Sequence, residues 1–72
     1  MFQPFVLRNR ETGKKQVIRT AYNYAIDKAV NLLHDRHARV TSVNAKPFNQ
    51  KGVAEITVKT KQQVVNYELL IV

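Results

Sequence analysis

The stretch TAYNYAIDKAVNLLHDRH, residues 20–37, decides the architecture because it is the part of the chain with clear helical periodicity. Its apolar residues recur at intervals of three and four, which places them along one stripe of an α-helix. The members of this stripe are Tyr22, Ala25, Ile26, Ala29, Val30 and Leu33. Thr20 or Asn23 is expected to cap the helix N-terminus with its side chain. In the last predicted turn, positive charge complements the helix dipole at His34, Arg36 and His37.

Before the helix, the sequence predicts a β-hairpin. Phe2 to Arg8 is predicted to be a strand, and its early Pro4 suits an edge or a strand start, because proline has no backbone N–H to donate to a neighbouring strand. Residues 9–14 form the turn, with Gly13 available for a positive φ angle, and Lys15 to Thr20 form the second strand. Successive side chains alternate between faces, so Lys15, Val17 and Arg19 point away from Gln16, Ile18 and Thr20.

After the helix, three further strands are predicted, separated by turns at 47–52 and 61–63. Their expected ranges are Arg39–Lys46, Val53–Thr60 and Val64–Val72. The last strand has a buried row at Val65, Tyr67, Leu69 and Ile71, yet Leu70 and Val72 make its other face apolar too. Such a strand lies either at the centre of a sheet or in a dimer interface, and the dimer is the slightly favoured expectation.

The element order is β-β-α-β-β-β within a single domain, residues 1–72. One amphipathic helix has one apolar stripe to bury, so we expect an α+β fold in which the helix packs on one face of a mainly antiparallel sheet. The chain of 72 residues is near the lower size limit for a domain that folds around its own core. Only one core is therefore expected.

Net charge is the strongest functional signal in the composition. Twelve lysines and arginines against five carboxylates give a formal charge of +7, and the pI is about 10.2. A balance of this kind favours nucleic acid, anionic lipid or an acidic protein as the partner, and it also occurs in domains whose charge serves only solubility. Charge alone therefore leaves several classes of partner open.

No motif in the chain supports catalysis, and we expect no enzyme activity and no cofactor. There is no cysteine, and the sole serine, Ser42, lies within a predicted strand. The HDRH segment, His34 to His37, has metal-ligand residue types but lacks a third ligand at a recognisable spacing, so no metal site is predicted. TGKK, residues 12–15, lacks the upstream glycine and the hydroxyl of a phosphate-binding loop.

Membrane association is not expected either. The longest apolar run, Leu69 to Val72, has four residues, whereas a spanning helix needs about 20. The N-terminal segment lacks the charge order and small-residue end of an export signal. These features favour a cytoplasmic location.

The basic residues are the remaining candidates for a site. Five cations cluster on the first hairpin, and four lie on or beside the turns between the last three strands. Phe48, in the turn at 47–52, is an aromatic ring that no element claims and that can stack on a base. The predicted nucleic-acid-binding residues are Arg8, Arg10, Lys14, Lys15, Arg19, Lys46, Phe48, Lys51, Lys59 and Lys61.

The sequence thus favours a small, non-catalytic protein that binds DNA or RNA, mainly through contacts to the phosphate backbone. The alternative is a protein-binding module or inhibitor, of the compact kind that phages and mobile elements encode, which docks on an acidic host protein through an edge strand or the open sheet face. A homodimer through the C-terminal strand, with charge serving solubility alone, is the third interpretation.

Overall fold

The computed structural model describes residues 2–72 and has five antiparallel strands with one helix packed on the sheet. The predicted α+β class and the β-β-α-β-β-β order are confirmed. The elements are β1 (Gln3–Asn9), β2 (Lys15–Thr20), a 3-10 turn (Tyr22–Tyr24), α1 (Ala25–Arg36), β3 (Val40–Ala45), β4 (Val53–Thr60) and β5 (Val64–Ile71).

The strands lie in the order β2-β1-β5-β4-β3, so the C-terminal strand is central. It pairs with β1 from Phe5 opposite Ile71 to Asn9 opposite Tyr67, and with β4 along its other edge. Both edges of β5 are hydrogen-bonded within the chain. The expected pairing of this strand across a dimer is therefore wrong, because it has no open edge to offer; the central position explains why β5 is apolar on both faces.

The core lies between the helix and one face of the sheet. Strand alternation puts Phe5, Ile56 and Leu69 on that face, where they are fully buried. From the other side, α1 buries the stripe residues Ala25, Ala29 and Leu33. Two positions differ from expectation. Ile71, predicted in the buried row, is the last residue of β5 and is 39% exposed. Tyr22, predicted on the apolar stripe of the helix, lies in the 3-10 turn and is 50% exposed.

The predicted N-caps of the helix are wrong. Tyr24 occupies the cap position without a side-chain cap hydrogen bond, while the Thr20 hydroxyl donates to the Ala21 carbonyl. A 3-10 turn comes before α1, and its backbone bonds use the N–H groups of Tyr24 and Ala25. Two of the N–H donors at this end therefore have backbone partners instead of a polar side chain.

The helix runs back toward the turn of the first hairpin. β2 has six residues and α1 has twelve, so each extends about 18–20 Å. Two turns, residues 10–14 and 61–63, therefore lie at the same sheet end as the helix C-terminus, and we call this the hairpin end. The turn at 46–52 and the start of α1 lie at the opposite end.

Among residues 2–72, no helix combines the length and the hydropathy that a bilayer crossing requires.

Candidate nucleic-acid interface

The open face of the sheet, opposite the helix, carries an ion-pair network at its centre. Glu68 on β5 accepts Arg10 Nε at 3.1 Å and Arg8 Nη1 at 3.7 Å. Glu55 on β4 lies 3.6 Å from Arg10 Nη1 and 3.7 Å from Lys46 Nζ. Strand register causes the arrangement, since Arg8, Glu68 and Glu55 lie side by side on three adjacent strands.

This network reduces the charge that the open face can offer to a polyanion. Three predicted binding residues, Arg8, Arg10 and Lys46, share two carboxylates, which leaves one net positive charge among the five groups. The side chains of Arg8 and Arg10 are 40% and 47% exposed, so each pair contributes little to folding stability, about 0–1 kcal/mol. A phosphate that binds these arginines must compete with glutamates already in place.

The hairpin end of the sheet has a different electrostatic character. Six cations from four segments of the chain surround it, and none has a carboxylate within salt-bridge distance in the part of the chain that the structure describes. All six are exposed. We call this group the basic end; it consists of Lys14, Lys15, Arg36, Arg39, Lys59 and Lys61. Two carboxylates, Glu11 in the hairpin turn and Asp35 in the last turn of α1, share this end of the molecule.

Local hydrogen bonds hold the hairpin turn that carries Lys14 and Lys15. Asn9 Oδ1 accepts the backbone N–H of Glu11 at 2.8 Å and of Thr12 at 3.1 Å. The Gly13 N–H donates to the Asn9 carbonyl at 2.8 Å, and Gly13 has a φ of 77°, which glycine adopts at little cost. The backbone of both lysines is therefore positioned before any ligand arrives.

The opposite side of the basic end is built from the link between α1 and β3 and from the turn between β4 and β5. The Lys61 N–H donates to the Arg39 carbonyl at 3.2 Å, which holds the two segments together. Arg39 has a φ of 59°, an unfavourable value for a residue with a side chain. The Thr60 hydroxyl oxygen accepts the N–H groups of Gln62 and Gln63, so this turn is also held by local bonds.

The two sides of the basic end are separated by three strand-to-strand steps, from β2 through β1 and β5 to β4. At about 4.8 Å a step, the separation is roughly 14 Å. The axial distance between phosphates along one strand of B-DNA is about 3.4 Å, so this width corresponds to about four nucleotides. The basic end can therefore contact several phosphates at once.

A cleft of about 450 Å³ opens beside the basic end on the helix side of the sheet. Leu7 and Tyr67, which are almost fully buried, belong to its lining, and polar and cationic side chains complete it. The residues around it are Leu7, Asn9, Thr12, Lys14, Lys15, Gln16, Arg36 and Tyr67. The Arg36 guanidinium donates to Gln16 Oε1, so the helix C-terminus is joined to β2 across the cleft.

Besides Arg8, Arg10 and Lys46 of the ion-pair network, three further predicted binding residues lie away from the basic end. Arg19 is near the end of β2 and Lys51 is in the turn at 46–52, so both are at the opposite end of the sheet. The Phe48 ring packs on the core side, with its centroid 5.9 Å from that of Phe5 and 5.4 Å from that of Tyr22. Phe48 therefore covers an edge of the core, and the structure does not bring it together with the cations.

Arg36 and Arg39 belong to the basic end but were absent from the predicted site. Helix length was the signal that identifies them: a twelve-residue helix after β2 returns the chain to the first turn, so residues just beyond its end must lie near Lys14 and Lys15. From the sequence alone, Arg36 is assigned only to the helix dipole.

No grouping of three or more metal-ligating side chains occurs among residues 2–72. No family model, curated protein or solved structure matches this chain.

Proposed function

We propose that this protein binds nucleic acid without catalysis, and that the basic end is the surface that contacts the phosphate backbone. The proposal also places the protein in the cytoplasm. The observation that carries it is a group of six cations at one end of the sheet, contributed by four segments of the chain, and none of the six has an ion-pair partner among residues 2–72. Clustered cations bind polyanions by releasing the counterions condensed on them.

The surroundings of the basic end favour contact with phosphates over contact with bases. Tyr67 is the aromatic residue nearest to it, and this side chain is 3% exposed. The more exposed tyrosines, Tyr22 and Tyr24, lie at the helix N-terminus, at the other end of the sheet. Because stacking platforms give single-strand binders much of their affinity, a site without exposed rings depends mainly on electrostatics and reads little sequence.

Fluorescence anisotropy with labelled duplex DNA, single-stranded DNA and RNA over a range of salt concentrations tests the proposal. We expect affinity to fall steeply with salt, by about 0.9 log unit per log unit of salt for each phosphate contacted on B-DNA. The double variant Lys59→Gln, Lys61→Gln should lower that slope by about 1.8 units, because it removes two of the contacts.

The matched control is Arg19→Gln, Lys51→Gln, which removes the same charge from the opposite end of the sheet. Its slope should stay close to that of the unmodified chain. Equal losses in the two variants would show that net charge alone drives binding, and the basic end would be rejected as the interface. Absence of binding to all three probes at low salt would overturn the function itself.

A second candidate, a protein-binding module, is supported by an apolar row on the open face. Register places Val17, Val6, Leu70 and Val53 side by side across four strands. Val17 is 61% exposed. Lys15 and Arg19 flank Val17 along β2, so an acidic protein with an apolar contact surface is the complementary partner. This candidate would be favoured over the first if such a protein is retained after nuclease treatment and is no longer retained by the variant Val17→Glu. Labelled DNA and RNA should show no shift in the same preparation.

A further inference from the structure

The cleft beside the basic end has the chemical properties of an anion site. Lys14 and Arg36 supply cationic side chains to it, and no carboxylate belongs to the described lining. Lys15 also lines the cleft, but strand register turns its side chain to the open face. A cavity with this composition carries a local positive charge that no neighbour within it cancels. This sets it apart from the open face, where each arginine of the network is paired.

Neutral groups in the cleft add hydrogen-bond donors. An arginine has no acceptor, so Gln16 must turn its amide oxygen to Arg36, and this leaves the two amide N–H donors of Gln16 without use in that contact. Thr12 Oγ1 accepts the Lys14 N–H at 3.3 Å, and its hydroxyl proton remains able to donate elsewhere. The cleft thus combines two cations with two neutral donor groups, a set that suits the several acceptor oxygens of a phosphate.

We propose that this cleft binds a phosphate group, and that within the nucleic-acid complex it holds the phosphate of one nucleotide. The second part rests on the proposed function; the first does not. The volume of about 450 Å³ is within the range of small-molecule sites and exceeds what a bare ion needs. Leu7 and Tyr67 are almost fully buried and offer no stacking surface, so the remaining volume is room for the sugar attached to the phosphate.

The helix dipole opposes an anion here, because the cleft lies near the C-terminus of α1. The dipole is equivalent to about half a negative charge within the last turn. The His37 N–H donates to the Leu33 carbonyl at 3.1 Å, so one of the terminal carbonyls is already satisfied. The two cations Lys14 and Arg36 outweigh this opposing charge, and the site remains positive.

Amide chemical shifts of the ¹⁵N-labelled full chain, titrated with inorganic phosphate, test the site directly, with sodium chloride at equal ionic strength as the reference. We expect phosphate-specific shifts centred on Thr12, Lys14 and Gln16. The variant Lys14→Gln, Arg36→Gln should weaken phosphate binding by about tenfold or more, since it removes two charge-assisted interactions. Arg19→Gln, Lys51→Gln has the same net charge and should bind phosphate as the unmodified chain does.

Titration with adenosine and adenosine monophosphate separates the two parts of the ligand. The monophosphate should bind more tightly than inorganic phosphate, whereas adenosine should cause shifts only at much higher concentration. Oligonucleotides with and without a 5′-phosphate distinguish a terminal phosphate from one within the strand. Tighter binding of the phosphorylated strand, lost in the cleft variant, would assign the terminal group.

Two results would overturn the site: phosphate shifts no larger than those from sodium chloride, or an equal loss of phosphate affinity in the two variants. The spectra also report whether each variant is folded, and Arg36→Lys, which keeps the charge, provides a milder replacement if the double variant unfolds. Phosphate binding without oligonucleotide binding would retain the cleft and reject the proposed function. Oligonucleotide binding without phosphate-specific shifts in the cleft would retain the proposed function and reject the phosphate site.

Discussion

The open face and the basic end both carry lysine and arginine side chains, but they differ in whether those side chains are paired with carboxylates. On the open face, Glu55 and Glu68 pair with three positive residues, Arg8, Arg10 and Lys46. At the basic end, six cations have no such partner among the described residues. The difference shows that the net charge of a small protein is a poor measure of its binding surface, because pairing on the sheet decides which charges remain available.

The largest effect is expected from removing the side chain that holds α1 against the sheet, because the cations at the end of α1 would then no longer be held at the basic end. Leu33 is fully buried, so Leu33→Ala should lower the free energy of unfolding by about 2–5 kcal/mol. Arg36 and Arg39 would lose their positions with the helix. Urea denaturation followed by circular dichroism measures the loss, and Leu32→Ala, at a partly buried position, should cost less. Equal losses in the two variants would contradict the packing described.

The reverse experiment removes the two carboxylates of the open face, so that its cations have no ion-pair partners. Glu55→Gln together with Glu68→Gln releases Arg8, Arg10 and Lys46 while the shape of the side chains is kept. If the released cations reach phosphates, nucleic acid should bind more tightly and the salt slope should steepen by about 1–3 units. Anisotropy titrations at several salt concentrations measure both. An unchanged slope would mean that the open face takes no part in binding even when its cations are unpaired.

The rigidity of the hairpin turn can be tested at Gly13. Apart from Gly13 and its two chain neighbours, no residue that the structure describes has a heavy atom within 4 Å of an added Cβ. Gly13→Ala therefore introduces strain through its φ of 77° and not through a clash. We expect a loss of about 1 kcal/mol in unfolding free energy. Thermal unfolding measures it, and weaker phosphate binding should accompany it because Lys14 follows directly. Gly52→Ala, with a φ of 74° in the turn at the opposite end, is the control that should leave phosphate binding intact.

The smallest effect on stability, and the cleanest separation of stability from binding, is expected at Arg39. Its φ of 59° is one that glycine adopts more readily. Arg39→Gly should therefore leave the unfolding free energy unchanged or raise it by up to about 1 kcal/mol, while the salt slope falls by about 0.9 units. Calorimetry and anisotropy on the same preparation measure the two quantities. A variant that is less stable and binds equally well would remove Arg39 from the interface.

Local pattern was sufficient for the elements of the fold. The ranges of β2 and β4 were predicted as observed, and the alternating burial of β4 follows from the side-chain period of a strand. The start of α1 was predicted less well, because backbone bonds of the preceding 3-10 turn replace the side-chain cap that composition suggested. The capping rule considers only which residue types stand near the helix start. It does not account for the 3-10 turn, whose backbone hydrogen bonds determine where the helix begins.

For the candidate site, sequence alone determined the residue types, the excess of positive charge and the side of each strand on which a cation lies. Only the tertiary structure decided that β5 is central, that two glutamates meet three cations across the sheet, and that Arg36 and Arg39 join the turns at the basic end. The physical reason is that ion pairing and convergence depend on strand order and register. These properties are set by how the whole chain buries its apolar surface, and no short segment encodes them.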